Sequence, residues 1–154
     1  MTIIESIRKY IKTYPGLKEF ENTVKVNVDK LEKDVTVYSI DETVCNPILK
    51  KFVDGSSERQ FLFVFASREF YGQDVFQNID NIGFYDKLSE WLEDNTRRGI
   101  LPQLEDGKQA LSIKAISNGY AFNTDETLAR YQIQIQLKYY QKQEMIKHEK
   151  SNEI

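Results

Sequence analysis

The chain has 154 residues and a mass of 18.1 kDa; 29% of its residues are charged, with 21 Lys and Arg against 24 Asp and Glu for a net charge of −3. One core of ordinary domain size is expected from that length, large enough to stand without a disulfide or a metal staple. The single cysteine, Cys45, excludes an internally bridged secreted scaffold, and the interspersed charges provide no broad cationic field to hold nucleic acid or anionic lipid.

The chain opens Met1-Thr2-Ile3-Ile4-Glu5, with a carboxylate at the fifth position, and no run of about 18 apolar residues occurs, so neither a signal peptide nor a membrane span is expected. Ile3, Ile4, Ile7, Tyr10, Ile11 and Tyr14 recur at the three- and four-residue spacing of an amphipathic helix. Thr2 and Glu5 make the T-x-x-E pattern, in which hydroxyl and carboxylate reciprocally satisfy free N–H groups at a helix start, and Pro15-Gly16 is the expected stop. Val24, Val26 and Val28, then Val35 and Val37, alternate with polar residues as two half-buried strands do, and the short charged connection Asp29 to Asp34 predicts a hairpin between them.

After the turn signal Asn46-Pro47, Ile48 to Val53 predicts a strand and Asp54-Gly55-Ser56-Ser57 a turn. The run Phe61-Leu62-Phe63-Val64-Phe65-Ala66 is apolar at both parities, which predicts a strand in the middle of a sheet with cover on each face. Arg68 to Gln73, Tyr71 included, reads either as an exposed binding loop or as a strand end leading to Asp74 as the cap of the next helix. Ile82, Phe84, Tyr85, Leu88, Trp91, Leu92 and Asn95 mark that helix, which Gly99 and Pro102 end. Arg97 and Arg98 suit the negative end of its dipole.

Leu111, Ile113 and Ala115 alternate with Ser112 and Lys114 as a further strand, followed by the turn pair Asn118-Gly119. The last strand has the cleanest alternation: Tyr131, Ile133, Ile135, Leu137 and Tyr139 face one way, and Gln132, Gln134, Gln136 and Lys138 the other. Residues 142–154 are rich in Lys and Glu and read as a flexible tail beyond a domain of residues 1–141. Helix, strands, helix, strands describes a single α+β domain, mainly antiparallel, packed by an N-terminal and a central helix.

The catalytic inventory is sparse. The lone histidine, His148, falls in the tail, so no nucleophile has an evident base, and one Cys with one His makes no zinc tetrahedron. Neither a P-loop nor a G-x-G-x-x-G pattern occurs, and no cofactor is expected. Cys45 reads as a buried small residue, and Phe61, Phe63 and Phe65 read as core. The glutamine row is different. Neutral, multiply hydrogen-bonding side chains suit a polar contact with another chain or a pore wall that neither repels nor traps passing DNA. Gln132, Gln134, Gln136, Lys138 and Tyr140, with Arg68 and Tyr71, are therefore the candidate assembly interface, while no catalytic, cofactor or metal residue is assigned.

The segments Cys45-Asn46-Pro47-Ile48, Val53-Asp54-Gly55-Ser56-Ser57 and Arg59-Gln60-Phe61-Leu62-Phe63-Val64-Phe65-Ala66-Ser67-Arg68-Glu69 carry a resemblance that continues through Gly83-Phe84-Tyr85, Trp91-Leu92-Glu93, Ser117-Asn118-Gly119-Tyr120-Ala121-Phe122 and Ala129-Arg130-Tyr131-Gln132-Ile133-Gln134. In these stretches the chain resembles the minor capsid or tail-terminator family of tailed phages and phage-like particles of Gram-positive bacteria. The resemblance implies a virion protein, assembled in the host bacterial cytoplasm, that forms a hexameric ring with itself at the head-proximal end of the tail. There it would cap the tail tube protein, stop elongation and offer a docking surface to the neck or head-completion protein, with DNA only as passing cargo and no membrane partner. Three alternatives stay open: a head-to-tail connector or minor capsid protein, an enzyme built on the carboxylates Glu69, Asp74 and Asp125, and a cytosolic binding module, which would be a stable monomer.

Overall fold

A computed structural model describes residues 2–15, 26–28, 37–70, 75–122 and 128–143. Its elements are α1 (Ile3–Ile11), β1 (Val26–Val28), β2 (Val37–Glu42), β3 (Ile48–Lys51), β4 (Ser57–Phe70), α2 (Val75–Arg98), β5 (Lys108–Ala115), β6 (Tyr120–Phe122) and β7 (Leu128–Gln141). Seven strands form one sheet in the order β1-β2-β4-β7-β5, with β3 beside β4 and β6 beside β7. This is the expected single-domain α+β fold.

Helix α1 starts where its caps dictate: Thr2 accepts from the Glu5 N–H, and Glu5 accepts from the Thr2 N–H. It ends at Ile11, ahead of Pro15, because i+3 bonds from Thr13 to Tyr10 and from Tyr14 to Ile11 tighten the chain out of the α ladder. Tyr14 stays buried, with its ring centroid 5.0 Å from that of Trp91 and 5.6 Å from that of Phe84. Helix α2 closes on Gly99 at φ 76°, with Ile100 N–H donating to the Asn95 carbonyl and Gly99 N–H to that of Thr96. That is the left-handed glycine cap that satisfies the final carbonyls.

Both helices cover one side of the sheet. Ile7, Tyr10 and Ile11 of α1 and Phe84, Tyr85, Leu88 and Leu92 of α2 pack with Tyr38, Ile40, Phe63, Phe65, Ile113, Ile133, Ile135 and Leu137 of the strands in one core. The rings interlock at its centre: Tyr38 stacks on Phe65 at 5.3 Å and on Phe84 at 5.5 Å. Each filled aromatic site is worth about 3–5 kcal/mol against truncation to alanine. Polar ties fix the helices laterally. Tyr10 Oη donates to the Ile100 carbonyl at 2.7 Å and accepts from Asn95 Nδ2 at 3.1 Å, while Thr96 Oγ1 donates to the Ile113 carbonyl at 2.7 Å.

Tyr85 joins α2 to the two long strands. Its hydroxyl donates to the Tyr131 carbonyl at 3.0 Å and lies 2.5 Å from Ser67 Oγ, all of it buried, so its single proton leaves Ser67 as the donor of the shorter bond. Gly119 packs against the same side chain, where an added Cβ would sit 2.4 Å from Tyr85 Cβ. The glycine of the Asn118-Gly119 pair is thus required by close approach to α2.

Three expectations are corrected. β1 and β2 pair in parallel, Val26 beside Tyr38 and Val28 beside Ile40, so they are not a hairpin; the connection predicted to turn lies outside the described residues. In β5 the register shifts between Ala110 and Ser112, and the extra residue reverses the parity: Ala110 joins Ile113 in the core, and Leu111, expected to face inward, is 44% exposed. Cys45 is half-buried rather than buried. Asp74, proposed as the cap of α2, and the tail from residue 144 onward lie outside the described residues.

Candidate assembly surface

The side of the sheet opposite the helices is built by the second parity of β4 and β7. Their register sets Gln60 opposite Lys138, Leu62 opposite Gln136, Val64 opposite Gln134 and Ala66 opposite Gln132, while Phe61, Phe63 and Phe65 with Leu137, Ile135 and Ile133 fill the alternate row. The predicted division of β7 between core and polar rows therefore holds along the strand. The expectation that β4 is covered on both faces holds at Val64 and Ala66, which are buried, whereas Leu62 is half-buried.

The glutamines differ in what they touch. Gln132 is only 8% exposed, and its Nε2 donates to Tyr120 Oη at 2.7 Å. Gln136 Nε2 donates to Gln60 Oε1 at 2.7 Å across to β4. Gln134 is exposed; its Nε2 reaches Tyr120 Oη at 3.5 Å, the limit of a useful bond, and its backbone N–H donates to Ser117 Oγ at 2.9 Å. Two of the three amides thus stitch the sheet together, and Gln134 is the one presented outward. Lys138 and Tyr140 continue the row, half-buried. Arg68 lies in β4 with Arg130 opposite in β7, and Tyr71 lies outside the described residues. Of the alternative carboxylate trio, Glu69 is paired by its backbone with Ala129, and Asp74 and Asp125 lie outside the described residues.

The edges of β7 are not available to another chain. β4 pairs with it from Ser57 to Phe70, and on its other side β5 pairs with residues 135–141 and β6 with residues 130–132. The long strand is interior to the sheet, and only its polar face can meet a partner. The described edges are β1, β3, β5 and β6.

Large apolar side chains outside the core gather elsewhere. Val44, Leu49, Phe52 and Val53 are exposed at or beside the β3–β4 hairpin, and Leu111 and Ile116 at the β5 edge; Val44 and Val53 are fully exposed. The hairpin is built to hold its shape. Asp54 Oδ1 accepts from the Ser56 N–H at 2.9 Å and from Ser56 Oγ, and these bonds hold its carboxyl below the ordinary aspartate pKa. Gly55 turns at φ 90° where an added Cβ would meet the Gln143 amide at 2.5 Å. Phe52 stacks on Tyr140 at 6.4 Å and carries Lys50 Nζ 5.4 Å from its ring centroid. Tyr140, a candidate contact residue, is thus a brace for the hairpin.

Titration is perturbed where burial or a local bond explains it. Burial raises the Tyr10 hydroxyl, partly offset by the bond from Asn95, and burial raises Tyr139, partly offset by Arg59. Lys108 lowers Glu105 through an exposed hydrogen bond. Among the described residues no three of His, Cys, Asp and Glu gather closely enough to hold a metal ion, and no described helix is long and apolar enough to cross a membrane. No family model matches the chain, and no curated protein matches it by sequence.

Proposed function

We propose that this chain is a structural virion subunit that works by assembly: copies join head to tail into a ring, six by the resemblance its sequence carries, which caps the tail tube, ends its elongation and receives the head or neck. The observation that favours assembly is the rigid β3–β4 hairpin, which holds Leu49, Phe52 and Val53 out of the core and in water although the core is filled without them. Single exposed apolar residues are common on proteins, but several of them together on a braced turn, Phe52 among them, have the make-up of an interface anchor. Contacts of that type are heterologous, one patch on one copy meeting a different patch on the next, and they close into a ring when the rotation per subunit divides a full turn. The polar row of β7 is the second surface, and its glutamines are neutral enough to line a passage or face a tube subunit. Electron microscopy of tails assembled without this chain tests the reading: overlong tubes without heads are expected, and tails of normal length joined to heads contradict it.

A further inference from the structure

The ring reading leaves open which patch receives the hairpin, and the charge pattern of α2 answers it. On that helix Asp86, Glu90 and Glu93 are exposed and follow one another at spacings of four and three, which sets them in one stripe. Among the described residues none of the three has an ion-pair partner, whereas Asp94 is engaged by Arg97 and Arg98. Beside the stripe, seven residues before Glu90, stands Gly83. A glycine inside a helix weakens it and usually answers to a close approach, yet a Cβ added here would meet nothing within 4 Å. The helix therefore carries a shallow notch with acid beside it that no described residue fills. The hairpin has the complementary form: Lys50 and Lys51 are exposed, also without a described ion pair, and lead directly into Phe52 and Val53 at the tip.

We infer that the β3–β4 hairpin of one copy docks on the exposed face of α2 of the next, Val53 against the backbone at Gly83 and Lys50 and Lys51 against Asp86, Glu90 and Glu93. The inference rests on the self-assembling reading above and specifies its contact. The two patches are different and lie on different elements, as a head-to-tail ring requires. Opposite charges fix which surfaces meet, and the apolar tip supplies the contact area.

Light scattering over a concentration series tests this with three proteins: the wild type, Lys50→Glu/Lys51→Glu and Glu90→Lys/Glu93→Lys. All four substituted positions are exposed, so each variant should melt with the wild type. The wild type is expected to form a closed oligomer. Each variant alone should need at least about tenfold more protein to associate, and an equimolar mixture should recover the wild-type curve, because each reversed patch then meets its complement. Variants that associate like the wild type, or a mixture that stays dissociated, overturn the hairpin–helix contact while leaving the ring intact. A wild type that remains monomeric at every concentration removes the self-assembling ring itself.

Discussion

The two rows of β7 sit on the same strand, one residue out of phase, and have opposite fates. Tyr131, Ile133, Ile135, Leu137 and Tyr139 are buried against the helices, and Ile135 and Leu137 lose all contact with water. Gln132, Gln134, Gln136, Lys138 and Tyr140 form the other face, where Gln132 is buried, Gln134 is exposed and the other three are half-buried. The first row is tuned for the energy of apolar burial, about 1.5–3 kcal/mol per large side chain. The second is tuned for hydrogen bonding, with Lys138 as its single charge. At Gln134, the exposed member of the outer row, the side chain can change without endangering the core.

The largest test of that separation is Ile135→Asp. An unpaired carboxylate in the centre of the core should cost about 4 kcal/mol or more and leave no cooperative transition in urea. A cooperative melt near that of the wild type would mean the facing assignment is inverted.

Tyr85→Phe probes the seam between the core row and α2. Ser67 Oγ and the Tyr131 carbonyl would each lose this bond in a buried site, so a loss of about 1–3 kcal/mol in denaturant stability is expected with the same slope. A change under about 0.5 kcal/mol would show that the two groups find other partners.

The smallest expected effect is Gln134→Lys, which should shift stability by less than about 0.5 kcal/mol because the side chain is exposed and its bond to Tyr120 is at the limit of length. Its consequence should appear in particle assembly, scored as a drop in head-joined tails. Loss of fold comparable to Ile135→Asp would erase the distinction between the rows.

Much of the architecture was readable from local chemistry. Thr2 with Glu5 marked the start of α1, Asp54-Gly55-Ser56-Ser57 the turn, and strict alternation the two faces of β7, because each signal depends on neighbours in sequence. What stayed hidden depends on distant partners. Two Val-rich strands with a short charged link suggest a hairpin, yet β1 lies parallel to β2 because pairing direction is settled by the whole sheet. A bulge at Leu111 leaves no mark in the alternation of Leu111, Ile113 and Ala115 and shows only as a register shift against β7. The interior place of β7 is likewise a property of the sheet order, which local alternation does not reveal. For the candidate surface, the glutamine row was legible. The acid stripe of α2 and the exposed hairpin tip were not, since spacing alone cannot tell which side of a helix or turn the fold leaves in water.

The account stands on the claim that this chain acts by assembling on a tail end, and tail length reads that claim most directly. In electron micrographs of particles made with and without the chain, the account predicts a narrow length distribution with it, a broad distribution extending well beyond that length without it, and restoration when the wild-type chain is resupplied. Identical narrow distributions in both preparations, with heads joined, would contradict it.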